Sequence, residues 1–155
     1  MTTRLRDGAL AGIVGGIVSA VWGLAMSPIL GTDVLHETRL AAVPLLGQAA
    51  LQSEHALLAF VVGGASHLAV SIAWAILFAL LCYPLSPLAT IGAGALFGLV
   101  VWRLMFNGVL PMLGVAWVVG GISTARAVTE HVVYGVGVAL GLLWLKQRGR
   151  ATHEA

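Results

Sequence analysis

Four long runs of apolar residues, separated by short polar or proline-rich stretches, dominate the sequence. Crossing roughly 30 Å of hydrocarbon takes about 20 helical residues, and each run reaches that length. A bilayer offers no water to backbone N–H and C=O groups, so an apolar run of this length is expected to be helical. The pattern predicts four transmembrane helices, near residues Ala9–Leu30, Ala56–Cys82, Leu88–Leu113 and Arg126–Leu145.

Prolines lie at the ends of these runs, where a missing N–H and a ring clash stop a helix. They are Pro28, Pro84, Pro87 and Pro111. The short "YPLSP" turn therefore joins the second and third helices. The longer connection, residues 31–55, is half apolar with scattered charges, so part of it is expected to form a short interfacial helix.

The distribution of Lys and Arg orients the helices, because these residues are enriched in cytoplasmic segments. Five of the eight lie near the termini: Arg4, Arg6, Lys146, Arg148 and Arg150. The protein is expected in the inner membrane of the cell. Both of its termini are therefore predicted to face the cytoplasm. Residues 31–55 then form an outer loop, and residues 146–155 form a cytoplasmic tail.

Composition supports a membrane location and narrows the function. The 155 residues suit one domain, and 59% of them are hydrophobic and 9% charged, far from the quarter that is usual in soluble domains. A formal net charge of +2, without a basic face, gives no reason to expect nucleic acid as a partner. Cys82 is the single cysteine, which excludes a disulfide framework and a cysteine-based zinc site.

The two halves of the chain resemble each other. "GGIVSAVWGLAMSPILG" aligns without a gap with "GLVVWRLMFNGVLPMLG", and both end in Pro-x-Leu-Gly. "HLAVSIAWAILFALL" aligns with "HVVYGVGVALGLLWL". Two helices per unit keep the same orientation in the membrane, so the prediction is an all-α four-helix bundle of two parallel two-helix repeats.

Several segments also resemble a known family. A glycine-rich first helix, "SHLAVSIAWAILFALLCYPL", a glycine-rich third helix ending in proline, and "EHVVYGVGVALGLLW" are similar to the YagU-like proteins, uncharacterised four-helix proteins of the bacterial inner membrane. The resemblance implies the same fold and location, with His67 and His131 as the histidines that open helices two and four. Arg103 departs from the group, where that position is usually apolar. The resemblance implies no activity.

Glycines repeat at four-residue spacing along three of the helices, where small residues let membrane helices approach closely. We expect these positions to be packing surfaces, within the bundle or between copies. They are Gly8, Gly12 and Gly16, then Gly94 and Gly98, and Gly137 and Gly141.

Polar side chains inside an apolar span are costly and usually paired or functional. Counting inward from the predicted outer ends places one such cluster in the outer half of the bilayer. The candidate residues are His67, Ser71, Arg103, Asn107, Glu130, His131 and Tyr134. We expect Arg103 to pair with Glu130, because it is the cation within a span that could neutralise this carboxylate with two parallel hydrogen bonds. The pair is either structural or handles protons or substrate, and the third alternative is that Arg103 or Glu130 reaches for the lipid headgroups.

The two histidines occupy equivalent positions of the two repeats. They are therefore expected to face each other at similar depth, which is also the geometry of a bis-histidine b-type haem. Interhelical hydrogen bonding is the favoured role, and haem, another metal or a proton relay are the alternatives. No cofactor is predicted, because the glycine stripes favour a bundle too tight for a porphyrin.

The sequence thus favours a non-enzymatic protein whose surroundings are the lipid bilayer. No Ser/His/Asp order and no HExxH motif is present to indicate an enzyme. We expect a component or accessory of a larger membrane complex, or a homo-oligomer. A small transporter or channel lined by the Arg/Glu/His cluster, and a haem-binding electron carrier, are the alternatives.

Overall fold

The computed structural model describes the backbone of residues 1–154 and the side chains of residues 1–149. All regular structure in this part of the chain is helical, and no strand occurs in it. Four of its helical segments are long and apolar enough to cross a membrane. They are Thr2–Ile29, Ser53–Cys82, Pro87–Met112 and Thr124–Gly149. The prediction of an all-α four-helix membrane bundle is confirmed.

Six α-helices follow one another along the described residues. They are α1 (Thr2–Ile29), α2 (His36–Leu46), α3 (Ala56–Cys82), α4 (Pro87–Leu104), α5 (Leu110–Met112) and α6 (Thr124–Glu154). The helical segment at the C-terminus is longer than predicted, because α6 continues through most of the predicted tail. The side chains of residues 150–155 and the backbone of residue 155, at the end of that tail, lie outside the described residues.

The third span is not one regular helix. A π-helical turn, Met105–Val109, lies between α4 and the single turn of α5. Such turns widen a helix locally and occur often at functional sites. Asn107 lies within this turn, and Arg103 lies one turn before it on α4.

The long loop contains the short helix that the sequence led us to expect. α2 buries Leu40, Ala42 and Val43, and it packs along the first part of α3. Gly63 of α3 lies directly against the backbone carbonyl of Thr38, so the two helices are in backbone contact. The loop therefore covers one end of the bundle, called the loop end below, and the chain termini lie at the other end.

α1 is the central helix, in contact with α3 on one side and α6 on the other, and α6 packs in turn along α4. Phe78, Val138 and Leu142 are fully buried in the core between these helices. α3 and α4 stand further apart, and Phe97 fills the space between them. Its ring lies 5.2 Å from that of Phe78 and 6.2 Å from that of Trp74.

Glycines lie where neighbouring helices approach each other closely. A Cβ on Gly12 would lie 2.6 Å from the Ile72 Cα of α3, and one on Gly141 would lie 3.3 Å from the Ala11 Cα of α1. The predicted glycines all lie at helix contacts inside the bundle: Gly8, Gly12 and Gly16 against α3, Gly94 and Gly98 against α6, and Gly137 and Gly141 against α1. Gly15 and Gly135 also lie at contacts between spans and were not predicted.

The two proposed repeats end in the same way but pack differently. Gly31 and Gly114 both have positive φ, +66° and +74°, which terminates α1 and α5. The N–H of Gly31 donates to the Pro28 carbonyl at 3.3 Å, and that of Gly114 to the Pro111 carbonyl at 3.0 Å. An exact repeat would pack α3 against α4 as closely as α6 against α1, which this bundle does not do. The internal repeat therefore stays a prediction that the shared helix ends support.

Candidate functional site

Arg126 is the most buried charged group at the loop end of the bundle. It lies in the first turn of α6, and its side chain is 6% exposed. The fourth predicted helix begins at this residue, but Arg126 was not predicted as a site residue, although its spacing of four residues from Glu130 was a signal for an ion pair on one helix face. The site is built around this guanidinium.

Every nitrogen of the Arg126 guanidinium donates a hydrogen bond. Nη2 donates to Ser27 Oγ at 2.7 Å and to the Gly23 carbonyl at 2.9 Å. Nη1 donates to Thr32 Oγ1 at 2.8 Å. These three residues belong to the last turns of α1 and the residues after it, where the negative end of the helix dipole attracts a cation.

Two carboxylates approach the remaining nitrogen. Arg126 Nε lies 3.1 Å from Oε1 of Glu130, one turn later on α6, and it also contacts Oε1 of Glu37 on α2. The side chains of Glu37 and Glu130 are 20% and 16% exposed. Arg126, Glu37 and Glu130, called the Arg126 cluster below, thus join α2, α6 and the end of α1.

Gly23 allows this arrangement because it has no side chain. A Cβ at Gly23 would lie 3.0 Å from Glu130 Oε1 and 3.0 Å from Glu37 Oε2. Both carboxylates therefore rest on the backbone of α1. Glu37 was not predicted as a site residue, since nothing in the loop sequence indicates which face of α2 packs on the bundle.

The predicted pairing of Arg103 with Glu130 is wrong. Arg103 Nη1 donates to Asn107 Oδ1 at 2.6 Å, and both residues are exposed on the outside of the bundle. The reason is rotation about α4: Gly98 faces α6, and five further residues turn Arg103 by about 140° away from that contact. Glu130 is neutralised by Arg126 instead.

His67 and Ser71 lie on the face of α3 that packs against α1. Nε2 of His67 donates to the Gly16 carbonyl at 3.0 Å, with Ser19 Oγ 3.4 Å away. This nitrogen is therefore engaged in an interhelical hydrogen bond. The Ser71 side chain fits against Gly16, and the Ser71 carbonyl accepts a 2.6 Å hydrogen bond from the Tyr134 hydroxyl, which crosses from α6 to α3.

His131 is held mainly by its own helix. Its Nδ1 donates to the Ala127 carbonyl at 2.8 Å, and its ring meets the Phe106 ring edge-on at 5.7 Å. Among the residues that the structure describes, no group of three His, Cys, Asp or Glu side chains is arranged to hold a metal ion.

A second polar cluster at the terminal end was also not predicted. Asp7 of α1 is 1% exposed, and its carboxylate accepts hydrogen bonds from the Arg6 guanidinium at 3.0 Å and from the Tyr83 hydroxyl at 2.9 Å. Burial raises the pKa of Tyr83 above its ordinary value, and the hydrogen bond to Asp7 raises it further. Lys146 Nζ donates to the Tyr83 carbonyl at 2.6 Å, which ties α6 to the end of α3.

Four apolar helices of spanning length, with polar groups neutralised between them, define a small polytopic membrane protein. Comparisons with protein-family models, with curated proteins and with solved structures found no match to this chain. The resemblance to the YagU-like proteins therefore rests on the sequence pattern alone.

Proposed function

We propose that this protein is a non-enzymatic component of a larger assembly in the bacterial inner membrane, related to the YagU-like proteins, and that Arg103 and Asn107 form its contact with a partner protein. The observation that carries the proposal is the exposure of both side chains on the outside of a spanning segment. Arg103 lies nine residues before Met112, at the end of that segment, or roughly 13 Å along the helix. Asn107 accepts one hydrogen bond but carries no charge, so a cation at that depth still needs an anionic partner.

Three polar groups inside the bundle are already engaged in hydrogen bonds between helices, which favours this function over transport. His67, Tyr134 and Arg126 each hydrogen-bond to backbone or side-chain groups of a neighbouring helix. Glycines bring α1 into backbone contact with α3 and α6, which leaves little room for a substrate path there. The exposed polar pair Arg103 and Asn107 lies outside this packing, where a second protein can reach it.

Charge complementarity favours a different protein over a second copy of this chain. The acidic residues within the spans are Asp7, Glu54 and Glu130. Asp7 and Glu130 are already paired with arginines, and Glu54 lies at the very start of its span beside His55. Across the described residues, no exposed carboxylate lies at the depth of Arg103. The expected occupant is therefore a transmembrane helix with an acidic residue in its outer half.

Photo-crosslinking in intact cells tests this contact. A photoreactive amino acid at Leu104, which is 46% exposed and adjacent to Arg103, is expected to capture one other membrane protein. Arg103→Leu should abolish that product, because the apolar side chain cannot neutralise the partner's acid. A matched probe at Leu96, 63% exposed and two turns earlier on α4, is the control and should not give the same product.

Three outcomes would contradict the proposed contact. A product with twice the mass of this chain would show that the contact is between copies. Lipid adducts alone, with no change on Arg103→Leu, would show that Arg103 reaches the headgroups instead. If the Arg103→Leu variant captures the same protein as strongly as the wild type does, the role of Arg103 is also refuted.

We further propose that both termini are cytoplasmic, from the five terminal Lys and Arg residues. A phosphatase that is active only in the periplasm should be silent when it is fused after Ala155. The same reporter inserted after Gly47, which lies in the loop between α2 and α3 with open space around it, should be active. The reverse pattern would invert the orientation.

A further inference from the structure

We infer that Glu37 and Glu130 bind one proton between them at the loop end of the bundle, and that this proton helps to hold α2 on α6. The inference is independent of the partner contact at Arg103. It rests on the geometry of the Arg126 cluster, in which two mostly buried carboxylates meet a single guanidinium. Oε1 of each carboxyl group contacts the same atom, Arg126 Nε, and an oxygen of each lies 3.0 Å from the position of a Cβ on Gly23.

The two carboxylates of the Arg126 cluster need one more hydrogen-bond donor than Arg126 supplies. Arg126 Nε carries one hydrogen and faces Oε1 of both glutamates, while Nη1 and Nη2 donate to Thr32, Ser27 and Gly23. The Ser27 hydroxyl donates to the Gly23 carbonyl at 3.0 Å, and the Thr32 hydroxyl donates to the Ser27 carbonyl at 3.3 Å. A proton on one carboxyl supplies the missing donor and hydrogen-bonds the two glutamates together.

The charges around the cluster also favour one bound proton. α1 contributes only hydroxyls and a carbonyl to it. On α2, Arg39 lies 3.5 Å from Asp33 and His36 is hydrogen-bonded to the Gly121 carbonyl. On α6, the His131 ring packs against Phe106 and hydrogen-bonds to its own helix. Arg126 is thus the one cation in contact with the two carboxylates among the described residues, and a proton makes the cluster neutral.

The shared proton makes the docking of α2 depend on pH. Glu37 is the cluster's one member on α2, and Glu130 and Arg126 are on α6. At lower pH the proton is bound and hydrogen-bonds the helices together. As the pH rises and the proton leaves, two adjacent carboxylates share one guanidinium, and their repulsion weakens the contact between α2 and the bundle. Docking is therefore stronger while the one proton is bound than after it has left.

Infrared spectroscopy of the full-length protein in lipid nanodiscs tests the inference. Wild type at neutral pH should show the carbonyl band of a protonated carboxyl group that is lost in Glu37→Gln and equally in Glu130→Gln. Each variant leaves one carboxylate, which Arg126 neutralises without a proton. Glu54→Gln is the matched control: Glu54 is 73% exposed beside His55, outside the cluster, and its replacement should leave the band unchanged.

A spin label on α2 gives a second measurement that does not depend on the band. With Cys82→Ser and Leu45→Cys, the label stands on an exposed position of α2. Its mobility should rise with pH in this background and become independent of pH when Glu37→Gln is added. Loss of the band in only one glutamine variant, its loss in neither, or a label whose pH response survives Glu37→Gln would overturn the shared proton.

Discussion

Replacing Arg126 by alanine is expected to destabilise the protein by on the order of 3–5 kcal/mol, the largest effect of any single side chain at the loop end. The guanidinium is 6% exposed and donates to three groups at the end of α1 as well as to the glutamates. Without it, Glu37 and Glu130 have no cation, and the Gly23 carbonyl loses a donor. The measurement is the free energy of unfolding in mixed detergent micelles.

Arg39→Ala is the matched control for Arg126→Ala. Arg39 also lies at the loop end, but its ion pair with Asp33 is 3.5 Å long and the Asp33 side chain is 53% exposed. An ion pair of this kind contributes about 0–1 kcal/mol to the free energy of unfolding. If Arg126→Ala costs no more than Arg39→Ala, the Arg126 cluster does not stabilise the fold.

Double variants identify the true partner of Glu130. Arg126→Ala with Glu130→Gln should cost less than the sum of the single changes, because residues in one hydrogen-bond network couple. Arg103→Ala with Glu130→Gln should be additive, since Arg103 contacts Asn107 on the far side of α4. Coupling between Arg103 and Glu130 would restore the pairing that the sequence suggested and contradict the structure.

The four spans could be predicted because the bilayer imposes them: an apolar run of spanning length must satisfy its own backbone groups, and only a helix does so. Helix contacts were also visible in the sequence, because glycines at four-residue spacing lie on one face. The ends Pro28–Gly31 and Pro111–Gly114 could be recognised as equivalent from their shared motif, and their hydrogen bonds do correspond.

The pairing of the charges could not be predicted from depth alone. Depth places Arg103 and Glu130 in the same half of the membrane, but rotation about the helix decides whether they meet. Gly94 and Gly98 mark the face of α4 that meets α6, and Arg103 lies away from it. The role of Glu37 could not be predicted for a different reason. Its role depends on how a loop helix docks, which is set by tertiary packing such as the contact of Thr38 with Gly63.

The second large effect is expected where α4 crosses α6. Here Gly98 lies against the backbone of His131 and Gly135 lies against that of Gly94, so the helices touch backbone to backbone. A Cβ on Gly98 would contact the His131 carbonyl and lie 2.8 Å from its carbon and 3.1 Å from Val132 Cα. Because backbone atoms of a helix cannot move separately, Gly98→Ala must push the two helices apart.

We expect Gly98→Ala to lower the free energy of unfolding by about 1–3 kcal/mol, the usual cost of overpacking, or by more because the obstacle is backbone. Gly92→Ala is the matched control on the same helix: a Cβ on Gly92 would meet no atom within 4 Å, and its effect should stay within about 0.5 kcal/mol. Unfolding in mixed micelles measures both. Separation of the helices should also change the environment of Trp102, which lies one turn beyond Gly98, and hence its fluorescence. Equal stability of the Gly98 and Gly92 variants would show that α4 and α6 do not pack in backbone contact.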